Sequence, residues 1–227
     1  MEFADRTVVV TGAAGNLGRA VAAAFAARGA NLALIDRSED LLRKVYPGDE
    51  SRRLLVAADL LDAAQTQAAI ARAAQRFGRI DVLANIAGGF RMGEAVHETT
   101  DATWNFLLDI NMRTLLNTVR AVVPQMLAAG GGKIVNVGAA SALKGAALMG
   151  AYVAAKSAVI RLTETMALEL RERNVNVNCV LPTIIDTPEN RAAMPDADPK
   201  RWVAPEALAD VIVFLASDAA RAVHGAA

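Results

Sequence analysis

Short β-branched runs alternate, along most of the chain, with longer stretches whose apolar residues recur at helical spacing. Thr7 to Val10, Leu32 to Ile35, Leu54 to Ala57, Val82 to Asn85, Lys133 to Val137 and Val175 to Leu181 read as strands. Between them, Leu17 to Arg28, Asp62 to Phe77, Asp101 to Ala128 and Ala151 to Arg173 read as helices. Asp62 is placed to cap the second helix, where Ile70, Ala73, Ala74 and Phe77 share one face. Pro124 predicts a kink or break in the third. This repetition predicts a parallel sheet with helices on both faces; right-handed crossovers then give an α/β doubly wound fold, one domain over 1–227. Thr183 to Val203 stands apart, with Pro182 before it, Pro188, Pro195 and Pro199 inside it, and little periodicity. A long loop after a strand's carboxyl end is usually functional, so this one reads as a substrate lid.

Composition narrows the functional classes. Of 227 residues, 54% are apolar, enough for a core covered on both sides. No apolar run approaches the roughly 18 residues of a membrane span, which predicts a protein with no membrane partner. Lys+Arg and Asp+Glu are 24 each, so the chain offers no broad basic field for nucleic acid. The opening Met1-Glu2-Phe3-Ala4-Asp5-Arg6 lacks the pattern of a signal peptide. Cys179, the single cysteine, lies in an apolar run and reads as a small buried hydrophobe, in keeping with a reducing cytoplasm. His97 and His224 have no ligand spacing around them, and no metal site is expected.

The first strand runs into Thr11-Gly12-Ala13-Ala14-Gly15-Asn16-Leu17-Gly18 and then a helix. Glycines at this spacing let the backbone turn tightly, approach a pyrophosphate and pack helix on strand, while the helix amino end offers unpaired N–H groups. A glycine triplet alone is a weak signal. Here it has a strand before it, a helix after it and an acid, Asp36, at the end of the second strand. A carboxylate there accepts both ribose hydroxyls of NAD(H) and repels a 2′-phosphate, so NAD(H) is the expected cofactor. Arg37 beside it offers such a phosphate a partner, which keeps NADP(H) open as the alternative.

Tyr152 and Lys156 stand one helical turn apart on one face. A phenol with a pKa near 10 is a poor proton donor or acceptor at neutral pH. A neighbouring ammonium is expected to lower that pKa and suit Tyr152 to acid–base work. Spacing alone carries little weight, since such pairs are common on helices; the glycine turn upstream gives this one meaning.

Together these features resemble the short-chain dehydrogenase/reductase family over essentially the whole chain. The matching pieces are the glycine turn, Asp59-Leu60 after the third strand, Asn85-Ile86-Ala87-Gly88 after the fourth, Asn111, Tyr152 with Lys156, and Leu181-Pro182. The resemblance implies a Rossmann fold and roles for these positions. Gly12, Gly15, Asn16, Leu17 and Gly18 would cradle the pyrophosphate, and Asp59 and Leu60 would contact adenine. Asn85, Ala87 and Gly88 would support the central strand and the cofactor, with Pro182 beside it. Asn111 would hold a proton-relay water, Tyr152 would be the acid or base, and Lys156 would bind the nicotinamide ribose while tuning Tyr152.

Two positions depart from the family. Asn16 replaces the usual second glycine of the turn, and asparagine tolerates left-handed backbone better than most residues. Ala139 stands where the family usually has a serine, and losing such a donor can cost about 100- to 1,000-fold in rate. Ser141 is a candidate substitute. Within the family these departures are similar to the dihydropteridine reductases, as is the lid string Asp186-Thr187-Pro188, Asn190-Arg191, Met194-Pro195 and Trp202. That likeness implies hydride transfer from NADH to a quinonoid dihydropterin. The alternatives are a general NAD(P)-dependent alcohol or ketone dehydrogenase, with Ser141 or water covering for the serine, and an NADH-binding sensor without turnover. Phe90, Ser141, Met149 and Met194 fall in segments expected near the mouth for a small-molecule substrate. The family also implies a homodimer or homotetramer through the two long helices, and usually a final strand after a segment like Arg221 to Ala227. Without it, an edge strand would be missing and backbone groups left unpaired.

Overall fold

The computed structural model describes residues 2–48 and 51–227. Six parallel strands, β1 (Thr7–Thr11), β2 (Asn31–Asp36), β3 (Arg53–Ala57), β4 (Val82–Asn85), β5 (Gly132–Val137) and β6 (Val175–Val180), form one sheet in the order β3-β2-β1-β4-β5-β6. The chain reverses direction across the sheet between β1 and β4, which opens a crevice at their carboxyl ends.

Alternating side chains of each strand enter two cores. Val8, Val10, Leu32, Leu34, Val82 and Ala84 face α1 (Asn16–Ala26) and a helix near the end of the chain. Val9, Ala33, Ile35, Leu83, Ile134 and Val177 face the other layer. That layer comprises α3 (Ala63–Phe77), α5 (Thr114–Ala128) and α6 (Gly150–Leu170). Asp62 caps α3 as its position predicts, accepting from Ala64 N and Gln65 N.

The structure changes several expectations. A short α2 (Glu39–Val45) follows β2, capped by Ser38 and braced by a Glu39–Arg43 pair. The long third helix is α4 (Asp101–Leu108) running into α5 through a π turn at Asp109–Arg113, and α5 continues unbroken through Pro124. The break therefore lies at the π turn, where one extra residue is accommodated, and not at the proline. The lid contains α7 (Pro188–Ala193), capped by Thr187, and its two ends pair: Asp186 N donates to Val203 O and Val203 N to Ile184 O. Next comes α8 (Pro205–Ala216), whose Leu208, Ala209, Ile212, Val213 and Ala216 are the helical half of the first core.

No strand follows β6 among the described residues, yet its outer edge is not bare. Gly225 N donates to Val177 O, Cys179 N donates to Ala226 O, and the side chains of Asn176 and Asn178 both reach Val223 O. No helix is long and apolar enough to cross a membrane, within the described residues.

Candidate active site

The bend after β1 is built for close backbone approach. Gly12 has φ +61°, a left-handed conformation that suits glycine. Gly18 lies against the backbone of Gly12 and Ala13 so closely that any Cβ there would collide with it. Gly15 precedes α1 with no side-chain cap, so the helix amino end offers its N–H groups outward, as an anionic diphosphate requires. The Asp36 carboxylate is pinned beside this turn, accepting from Ala14 N (3.0 Å) and Arg37 N (2.8 Å). The Tyr46 hydroxyl, at the end of α2, braces the turn from behind by donating to Ala13 O. These features fit a dinucleotide.

Asn16 does not take up the left-handed backbone that its place in the turn suggested. It opens α1 in right-handed conformation, and Gly12 alone in the turn has a positive φ. Its amide instead reaches across to the lid, donating to Glu189 (2.7 Å), while Arg19 donates to its carbonyl oxygen (2.6 Å). Leu17 and Leu60 turn their side chains into the core, and Asp59 accepts from Leu61 N at the turn after β3.

At the carboxyl ends of β4 and β5, two side chains converge on Gly88. A Cβ built there would lie 2.9 Å from Asn111 Oδ1 and 3.2 Å from Lys156 Nζ. The π turn carries Asn111 inward, where its amide clamps the Gly88–Gly89 bend. Oδ1 accepts from Gly89 N, and Nδ2 donates to Gly89 O and Leu107 O. Asn85 is buried beneath, its Oδ1 accepting from the Thr11 hydroxyl; that hydroxyl in turn accepts from Ile86 N and Ala87 N. Lys156 Nζ donates to Val137 O (2.8 Å), and burial pushes its pKa down to about 8.

Tyr152 corrects the sequence-based view of its acidity. Its hydroxyl has no hydrogen bond to the described residues, and the Phe90 ring stands edge-on to it, centroids 4.8 Å apart at 89°. Burial pushes the phenol up to about 12, with no cation pulling it down. The ammonium is committed to Val137 O, so one-turn spacing does not by itself acidify the phenol.

Around this pair, Met149 sits half-buried at the start of α6, and Phe90 is half exposed at the mouth. Ala139 is buried and extended where a hydroxyl was sought. Ser141 lies in the following turn with no hydrogen bond to the described residues. Met194 ends the lid helix, and Pro182 O accepts from Ala140 N. A groove of about 490 Å³ between α1 and α8 touches neither Tyr152 nor Lys156, so chemistry and not volume locates the site. No cluster of three or more His, Cys, Asp or Glu suited to a metal occurs among the described residues.

The description of short chain dehydrogenases matches residues 6–198. The chain belongs to the short-chain dehydrogenase family. It is 36% identical over 233 residues to the D-threitol dehydrogenase of Mycolicibacterium smegmatis, covering 97% of this chain and 89% of that one. It is 36% identical over 234 residues to the cis-4-hydroxycyclohexanecarboxylate dehydrogenase of Sinomonas cyclohexanicum (99% and 94%), and 30% identical over 230 residues to an NAD-dependent glycerol dehydrogenase of Listeria innocua (97% and 90%). Among solved structures it resembles levodione reductase, with a TM-score of 0.89 at 31% identity, covering 99% of this chain and 95% of that one. It also resembles the 3-ketoacyl-(acyl-carrier-protein) reductase of Brucella melitensis complexed with NADH, with a TM-score of 0.89 at 26% identity and coverage of 98% and 95%. As a short-chain dehydrogenase, the protein is an NAD(P)-dependent oxidoreductase.

Sequence reasoning missed three residues of this short-chain dehydrogenase that the structure joins to the site: Tyr46, Glu189 and Thr163. Only Thr163 carried a signal, as a hydroxyl on the sheet-facing stripe of a helix.

Proposed function

We propose that the protein oxidises a secondary hydroxyl of a small polyol or alicyclic alcohol with NAD, and reduces the corresponding ketone with NADH. The observation that carries this reading is the convergence of Lys156 and Asn111 on Gly88 at the crevice, with Tyr152 one helical turn before Lys156 and the uncapped α1 terminus following β1. The bound dinucleotide supplies or accepts the hydride. Tyr152 takes the proton from the substrate hydroxyl or returns it to the ketone oxygen. Lys156 holds the nicotinamide ribose and, turned from Val137 O toward the phenol, stabilises phenolate. Asn111 has both amide hydrogens engaged, so a relay water would meet the remaining lone pair of its Oδ1. Phe90 covers the phenol and gives an apolar wall to the mouth.

The hydroxyl compounds named for the relatives favour this substrate class over a quinonoid dihydropterin. The pterin reading keeps one observation, Ala139 in place of a donor to a carbonyl. Initial rates with NAD and a panel of polyols and cyclic secondary alcohols, beside NADH with ketones and quinonoid dihydropterin, separate the two. Turnover confined to the pterin would overturn the alcohol reading. A matching variant sharpens the test. Ala139→Ser should raise ketone turnover by up to about 100-fold, because the hydroxyl adds a donor where charge develops. No gain would mean that the site already has its donor.

We further propose NAD(H) over NADP(H), because Asp36 is held by two backbone N–H groups where a 2′-phosphate would have to sit. Asp36→Ala should weaken NADH by about tenfold, a loss of about 1.4 kcal/mol, while NADPH changes little or improves. Fluorescence titration of both nucleotides checks this; equal weakening would reduce Asp36 to a brace for the turn. A homodimer or homotetramer through the long helices is supported by Trp104 on α4 and Leu168 on α6, both exposed.

A further inference from the structure

A line of buried polar side chains crosses the sheet just below the crevice. Thr11 Oγ1 donates to Asn85 Oδ1 (3.0 Å), Asn85 Nδ2 to Asn136 Oδ1 (3.3 Å), and Asn136 Nδ2 to Thr163 Oγ1 (2.9 Å). The thread ends on α6, where Thr163 Oγ1 donates to Val159 O (2.8 Å). Thr11, Asn136 and Thr163 are fully buried, and Asn85 is 4% exposed. Replacing Asn136 and Thr163 together by apolar side chains of similar shape would cost less than replacing one of them, because a satisfied buried hydrogen bond contributes modestly while a stranded partner is expensive. What such a network adds is one defined arrangement.

The helix it reaches needs that definition. Residues 152, 156 and 163 recur at helical spacing on the face turned to the sheet and crevice, while Ala151, Ala155 and Ala167 are buried alongside them. Val159, Ile160 and Leu170 supply the larger apolar contacts of the helix, but such packing is non-directional and fixes its register less sharply than a buried hydrogen bond does. Two ties from consecutive residues of β5 add directional restraint: Asn136 to Thr163, and Val137 O to Lys156. They grip α6 about 10 Å apart along its axis, at 1.5 Å per residue. When Lys156 leaves Val137 O to engage the cofactor and phenol, the Thr163 tie stays on the sheet side, and Ser157 Oγ still donates to Ala142 O in the turn after β5 (3.0 Å).

We propose that Thr163 is a positioning residue: through Asn136 and Asn85 it registers α6 to the glycine turn, and so sets where Tyr152 and Lys156 stand over the bound cofactor. The proposal rests on reading Tyr152 and Lys156 as the reactive pair. A misplacement of about 1 Å can cost about 100-fold in rate; the remaining packing limits the slip.

The test compares Thr163→Val and Thr163→Ser as full-length protein with NAD and the best alcohol found in the panel. Thr163→Val should lower kcat about tenfold and leave KM for NAD within about twofold. The pH at half-maximal oxidation rate should move upward, because a displaced ammonium stabilises phenolate less. Thr163→Ser should restore wild-type kcat and profile. A Thr163→Val protein that melts earlier but keeps wild-type kcat and pH profile would overturn the proposal. Should Thr163→Val fail to fold, Thr163→Ala leaves room for a water on Asn136 and is read the same way. Failure of both, with Thr163→Ser unchanged, would assign the hydroxyl to folding and also overturn it. Failure of the underlying reading has a separate signature: turnover that survives Tyr152→Phe.

Discussion

Tyr152→Phe lowers turnover by a factor of about 100 to 10,000 in the expected result, while NADH binding stays within about twofold of wild type. The two halves follow from different parts of the structure. The hydroxyl makes no hydrogen bond to the described residues, so its removal strands no protein partner and leaves the fold intact. The ring stays where it packs, edge-on to Phe90. The groups proposed to hold the dinucleotide, at the glycine turn, Asp36 and Lys156, are untouched. What is lost is the hydroxyl proposed to exchange a proton with the substrate oxygen. Steady-state rates beside a fluorescence titration check both halves; wild-type turnover in the variant would remove Tyr152 from the chemistry.

Gly18→Ala should be the most damaging single methyl group in the molecule. Its Cβ would overlap Gly12 O and come within 2.8 Å of Ala13 Cα and 2.9 Å of Gly12 C, all of them backbone atoms that cannot swing aside. Either α1 withdraws from β1 or the turn opens, and overpacking of this kind costs about 1–3 kcal/mol or more. NADH affinity should fall more than about 100-fold as the N–H groups of the turn lose their alignment, and the melting temperature should drop with it. Gly15→Ala is the matched control. Its Cβ would meet only Gly12 O, at 3.3 Å, with a φ of −73° open to any residue. Calorimetric melts and NADH titrations of the pair would show the contrast; a Gly18→Ala protein with wild-type affinity would mean that the diphosphate sits elsewhere.

The sheet was legible because its strands are buried on both faces and written as continuous β-branched runs between helices. α2 escaped because it is a single short stretch with no apolar periodicity, although Ser38, Glu39 and Arg43 spell a capped, charge-paired helix. α8 escaped behind the prolines of the lid, yet Pro205 at its start and the spacing of Leu208, Ile212 and Ala216 were readable. The π turn had no local signal: it exists because Asn111 finds Gly89 and Leu107 inside the fold. At the site, spacing put Tyr152 and Lys156 one turn apart on one helix, which is where α6 carries them. They could not reveal that the ammonium turns to a main-chain oxygen, or that Asn16 spends its amide on Glu189. Those choices depend on partners distant in sequence.

The closing stretch of chain laid against β6 has a consequence for solubility. A parallel sheet normally presents two raw margins to which a foreign strand could template itself. Here Val177 O and Cys179 N on the β6 margin are already spoken for, and the Asn176 and Asn178 amides clasp the covering segment from the side. An incoming peptide would have to peel that cover away before finding a backbone partner there, which leaves the short β3 border as the easier landing point.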